Sequence, residues 1–125
     1  MLRILVLTLL TTLAASSALA QSWRSMMRNT PAERFQDEDW AVFLKQVYKT
    51  LDEAPENQPV KWERAETNRR GELTVLRTYE SKGRRCRELR VQNQGDGRKS
   101  DNTFNLCSVD GKWRLVSAPP PKKQP

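Results

Sequence analysis

The residues best equipped for chemistry are two cysteines and a crowd of arginines around them. Cys86 and Cys107 are the only cysteines, and histidine is absent. Without histidine there is no Ser-His or Cys-His nucleophile pair and no ordinary zinc site. The cysteines also lack the Cys-x-x-Cys spacing of a redox pair, so their chemistry is expected to be a disulfide. Lys82, Arg84, Arg85, Arg87, Arg90, Arg98 and Lys99 crowd the same stretch. Guanidinium forks suit phosphate and carboxylate groups. Arg84, Arg85, Arg87, Arg90, Arg98 and Lys99 are therefore the candidate anion-binding residues, and the plainer alternative is a solvated face carrying charge for solubility. Glu63, Glu66, Glu72, Glu80 and Glu88 alternate with arginines and read as ion pairs on strand surfaces rather than as a catalytic carboxylate pair. Asp37-Glu38-Asp39 lacks the glycine and distal glutamate of a calcium loop and reads as a helix start. No catalytic residue, cofactor or metal is expected.

Something must hold the cysteines together, and the flanking residues say what. If Cys86 lies opposite Cys107 in an antiparallel pair, Leu89 falls opposite Phe104 and Arg87 opposite Leu106. Side chains alternate faces along a strand. Leu89, Val91, Phe104 and Leu106 then share one face, and both cysteines take the other, with Arg84 and Arg90 beside them. A slip of one residue would break the apolar pattern and the cysteine pair together. Gln92 to Asp101, with Gly95, Asp96, Gly97 and Ser100, reads as a polar loop between the two strands. A disulfide closing a loop of about 20 residues is worth roughly 3 kcal/mol.

The apolar face of that hairpin needs a cover, and one stretch has the right period. Trp40, Phe43, Leu44, Val47, Tyr48 and Leu51 recur at helical spacing, with Lys45, Gln46, Lys49 and Glu53 opposite. Asp37-Glu38-Asp39 starts this helix, and Ala54-Pro55 ends it. Strands are expected at 60–66, 72–80, 85–92, 103–108 and 112–117, joined by short turns, of which Asp110-Gly111 is the strongest hairpin signal. The fold class is therefore α+β: one main amphipathic helix packed on a small antiparallel meander of four to five strands, with one disulfide. Thr30-Pro31-Ala32-Glu33 fits a capping box leading to a short turn near Phe35. The residues before it read as a poorly ordered lead-in.

Residues 1–20 read as a secretory signal peptide: Arg3, then an apolar run from Ile4 to Leu13, then Ala18-Leu19-Ala20. The run is too short for a membrane span. The expected layout is a signal at 1–20, an N-terminal arm at 21–35, the main domain at 36–117 and a Pro/Lys-rich tail at 118–125. The formal charge of the chain is +7. In an exported protein that charge meets lipopolysaccharide, anionic phospholipid or an acidic partner protein rather than nucleic acid.

From about Phe35 to Val116 the chain resembles the C-terminal domain of the bacterial seventeen-kilodalton, rickettsial-type surface antigen family. Cys86-Arg87-Glu88-Leu89 is similar to the family's Cys-Arg-Glu-aromatic motif, with Leu89 in the aromatic place. Cys107-Ser108-Val109-Asp110-Gly111-Lys112-Trp113 is similar to its closing motif. A Leu-Asp-Glu-Ala-Pro helix end, a Trp62 strand, an Arg70-Gly71 turn and a Thr78-Tyr79 strand follow the family order. The resemblance implies the same fold, an envelope address and no established reaction. Family members commonly carry a lipoprotein cysteine and a glycine zipper ahead of this domain. Here the five glycines all lie at Gly71 or later. A periplasmic form is therefore expected, with outer-membrane association as the variant.

Overall fold

The computed structural model describes residues 23–117, so the expected signal peptide and Pro/Lys-rich tail lie outside the described residues. Five strands run in sequence order as an antiparallel meander: β1 (Val60–Arg64), β2 (Arg69–Ser81), β3 (Arg84–Gly95), β4 (Arg98–Val109) and β5 (Lys112–Val116). Helix α1 (Asp37–Glu53) packs on one face. The α+β expectation holds, with all five strands present.

The hairpin register is the one that the cysteines require. Cys86 pairs with Cys107, Arg87 with Leu106 and Leu89 with Phe104. A disulfide joins Cys86 and Cys107 across Cα atoms 4.0 Å apart. One part of the expectation fails: Gln92 to Asp101 is not a loop. Pairing continues to Gly95 opposite Arg98, and only Asp96-Gly97 turns the chain. The reason is local. Asp96 and Gly97 both have positive φ, 53° and 74°, so two residues suffice for a type I′ turn. Lys82-Gly83 and Asp110-Gly111 turn the other hairpins the same way.

The face shared by Leu73, Val75, Leu89, Val91, Phe104 and Leu106 is covered, and these residues are buried. From α1, Trp40, Phe43, Val47 and Leu51 are buried against it, and Leu44 and Tyr48 pack at the margin. The lead-in before Thr30, expected to be poorly ordered, supplies a second cover. Trp23 and Met27 are 1% and 2% exposed, so the lead-in is part of the core. Trp23 meets Phe43 and Phe104 edge-on at 5.8 and 5.2 Å. The physical reason is area: one helix cannot cover five strands, and the residues before Thr30 supply the missing apolar side chains. A 3₁₀ turn, Pro31–Arg34, follows; the Thr30 hydroxyl accepts from the Ala32 N–H and positions Phe35 among the aromatics.

Within the first turn of α1 sits Asp39, which is fully buried. Its carboxylate accepts from the Gln36 backbone N–H at 2.7 Å, the Thr67 hydroxyl at 2.7 Å, Arg64 Nη1 at 3.0 Å and Arg69 Nη1. Arg69 continues to Asp96 at 3.2 Å, so one carboxylate ties the helix start to β1, β2 and the β3–β4 turn.

Gly71 is set by close approach. Trp62 on β1 and Asn93 on β3 are its neighbours on either side, and Trp62 Nε1 donates to Asn93 Oδ1 at 3.0 Å across it. A Cβ at Gly71 would lie 2.2 Å from the Gln92 carbonyl oxygen and 2.6 Å from Trp62 Nε1. Gly71→Ala is expected to lower unfolding stability by about 2–4 kcal/mol, since the sheet must shift and the indole bond is lost. Urea unfolding followed by tryptophan fluorescence measures it; a change below about 1 kcal/mol would show that the sheet yields freely there.

Candidate anion-binding face

Alternation from Cys86 assigns each strand residue to the covered face or the open one. The open face has no helix over it among the described residues. Its centre is the disulfide, which is nonetheless buried, at 0% and 4% exposure for its two cysteines. Tyr79 explains this. It pairs with Cys86, and its hydroxyl donates to Asn105 Oδ1 on β4 at 2.8 Å, so the ring lies across β3 over the sulfurs. Arg77 stacks over that ring, 4.5 Å from its centroid, and its Nε donates to Glu88 at 3.0 Å. Burial raises the Tyr79 hydroxyl's pKa; Arg77 opposes this and Glu88 adds to it.

The six predicted anion-binding residues do not converge. Arg84 and Arg85 stand at one end of β3, and Arg98 and Lys99 follow the turn at its other end. A 12-residue strand separates its ends by roughly 35 Å. Alternation divides them further. Arg84, Arg90 and Lys99 share the open face with Cys86, whereas Arg85, Arg87 and Arg98 align with the covered one. Arg85 lies over the Trp113 ring at 5.8 Å. Arg90 is engaged by Asp101, which raises the guanidinium's pKa and lowers the carboxyl's.

Arg87 must be withdrawn from the candidate set. It is 4% exposed, and it donates to the carbonyl oxygens of Leu51 at 2.8 Å and Ala54 at 2.6 Å, with Thr50 at 3.4 Å. Its Nε donates to the Thr78 hydroxyl at 2.9 Å. These carbonyls end α1 and have no helical partner of their own, apart from Thr50, which also accepts from the Ala54 N–H. Arg87 is thus the positive cap of a helix C-terminus. Burial pulls its pKa below the ordinary value, Arg85 adds to this and Glu56 opposes it.

Two cations that sequence proximity could not reveal do join Arg84 on the open face. Lys112 pairs with Val109 and Arg114 with Cys107. Continuing the β3–β4 register past Cys86 brings Arg84 beside Val109. The remaining open-face cations have carboxylates close by. Lys61 is opposite Glu72, Arg70 is opposite Glu63, Arg77 bonds Glu88 and Arg90 bonds Asp101. Arg84, Lys99, Lys112 and Arg114 form no ion pair among the described residues. A shallow groove of about 710 Å³ crosses β1 to β4 and is lined by Lys61, Arg70, Lys99, Glu63, Glu72 and Asp101 among others, three cations and three carboxylates.

The family comparison bears on this same sheet. The model of the 17 kDa outer membrane surface antigen matches residues 49–114, more than half of the 125-residue chain. The chain belongs to the 17 kDa outer membrane surface antigen family. The match runs from the last turn of α1 into β5, so the disulfide, the Arg87 cap and most of the open face fall within it. Asp39 and Trp23 precede it. Family membership associates the chain with the cell envelope, and the family's description names an antigen and no reaction. None of the curated proteins and none of the solved structures matches the chain. Among the described residues, no helix is long and apolar enough to cross a membrane.

Proposed function

We propose that this surface antigen is a non-catalytic binding module of the cell envelope, periplasmic after export, which holds an anionic envelope component against the open face of its sheet. Lipopolysaccharide and anionic phospholipid are the components whose chemistry fits. The observation that supports the reading is the positive charge left over on that face once its four carboxylates have been matched with Lys61, Arg70, Arg77 and Arg90. Arg84, Lys99, Lys112 and Arg114 remain, all exposed. The disulfide agrees with an oxidising compartment and holds the central strands of the face in register.

The test is a salt titration of the exported chain against lipopolysaccharide and, separately, against phosphatidylglycerol vesicles. Binding to at least one is expected at low salt, falling steeply as ionic strength rises through about 0.15 M, where charges farther apart than about 8 Å are screened. Failure to bind either at low salt, or an affinity indifferent to salt, would remove the reading.

A further inference from the structure

We propose that the anion is the headgroup phosphate of an acidic phospholipid bilayer, and that it is met by one end of the open face, at Arg84, Lys112 and Arg114. The proposal rests on the reading above and narrows it to one ligand and one locus. Arg84 and Lys112 flank Val109 from the two neighbouring strands, so their Cα atoms are about 10 Å apart. Arg114 is two residues along β5, about 7 Å from Lys112 on the same face. All three are exposed, and Lys82, at φ 53° in the adjoining β2–β3 turn, lies at the same end.

The carboxylates nearby do not cancel this field. Glu88, the next open-face residue beyond Cys86, is held by Arg77. Asp52 and Glu53 belong to α1 on the far side of the sheet, where Asp52 accepts from Trp113 Nε1 at 2.7 Å. Glu80 lies opposite Arg85, aligned with the covered face. Asp110 lies in the turn before Lys112, and Lys82, in the turn before Arg84, balances it in charge. The groove at the opposite end is lined by three cations and three carboxylates, and Lys99 is left over there only because Arg90 engages Asp101.

The shape of the cluster decides between a soluble phosphate and a surface. A single phosphate is held by a closed cradle of convergent donors. Here the cations are spread over an open sheet surface, with half-buried Val109 between them. A planar array of phosphates suits that spread, and each basic residue brought near such a surface strengthens adhesion severalfold.

Vesicles of phosphatidylglycerol in phosphatidylcholine are the probe, with the exported chain at low salt. Combined Arg84→Glu, Lys112→Glu and Arg114→Glu is expected to weaken binding by more than about 100-fold. A charge-matched control, Lys61→Glu with Arg70→Glu and Lys99→Glu, is expected to weaken it by less than about 10-fold. Both variants change exposed side chains, and thermal unfolding checks that they remain folded; the three turn-end positions changed to Gln give a smaller loss in the same order should the Glu variant unfold. Equal losses in the two variants would mean net charge alone acts and would overturn the locus. Binding of the unaltered chain to lipopolysaccharide but not to vesicles would overturn the lipid assignment while leaving the broader function standing. Binding to neither overturns the function itself.

Discussion

Asp39→Ala is expected to lower unfolding stability by about 3–5 kcal/mol, measured by urea denaturation at neutral pH. A surface aspartate at a helix start would cost far less, about 1 kcal/mol for the lost cap. The difference lies in what Asp39 leaves behind. Arg69 is 8% exposed, and with Asp39 gone its guanidinium keeps only Asp96, at 3.2 Å. Thr67 and the Gln36 N–H lose their acceptor as well. Asp39→Asn keeps the shape and two of the hydrogen bonds, so a smaller loss is expected. Adding Arg69→Met to Asp39→Ala should recover part of the stability, because it removes the stranded charge. A loss near 1 kcal/mol for Asp39→Ala would reduce the network to an ordinary cap.

The same carboxylate predicts an acid limb. Burial alone would raise its pKa, but hydrogen bonds from Thr67, the Gln36 N–H, Arg69 and Arg64 outweigh that and hold it at about 2. In the unfolded chain it titrates near 3.8. The contribution is therefore fully present above about pH 4 and disappears as pH falls toward 2, and it amounts to about 2 kcal/mol. Asp39→Asn should lack this limb, so its stability profile and that of the unaltered chain converge below about pH 2.

Asp39 also shows where a single sequence stops being readable. Its type and place before a helix explain an N-terminal carboxylate, and nothing local distinguishes it from Asp37, which stays exposed and pairs with Arg24 at 2.9 Å. The distinction comes from β1 and β2, 25 and 30 residues away, delivering Arg64 and Arg69. The hairpin was legible because two independent constraints, apolar alternation and the cysteine pair, admit one common register. Helix α1 was legible because its stripe has a single period. The lead-in was not, since Trp23 and Met27 are too few to form a periodic pattern, and only the uncovered area of the sheet calls for them. The strands at Gln92 to Asp101 were hidden because their residues are polar on both faces, leaving the Asp-Gly turn as the one signal.

The candidate site was legible only in part. Arginines that crowd together in sequence are scattered by a strand, which turns alternate residues to opposite faces and carries them about 3.3 Å apart per step. Arg84 and Arg90 were placed on the correct face by that alternation. Lys112 and Arg114, more than twenty residues from Arg84, reach it only through the register of β4 with β5. Charge patches on sheets are written across strands, so reading them needs the pairing first.

Arg87→Ala is the second large effect, with an expected loss of about 3 kcal/mol or more. The register that turns Leu89 inward turns Arg87 inward too, opposite Leu106, and an inward arginine needs acceptors. The carbonyls of Leu51 and Ala54 supply them because α1 ends at Glu53, beside β3. Removing the guanidinium leaves these oxygens without their charged donor, at about 1–3 kcal/mol for each one that water cannot reach. Arg87→Lys should restore part of the loss, since one ammonium cannot reach three carbonyls and the Thr78 hydroxyl together. Hydrogen exchange supplies the local readout: amides in the last turn of α1, around Leu51 to Ala54, should lose protection more than those of β2. If Arg87 instead served an anion on the surface, Arg87→Ala would leave both stability and exchange unchanged while weakening vesicle binding. The expected pattern is the reverse, with binding preserved under conditions where the variant remains folded.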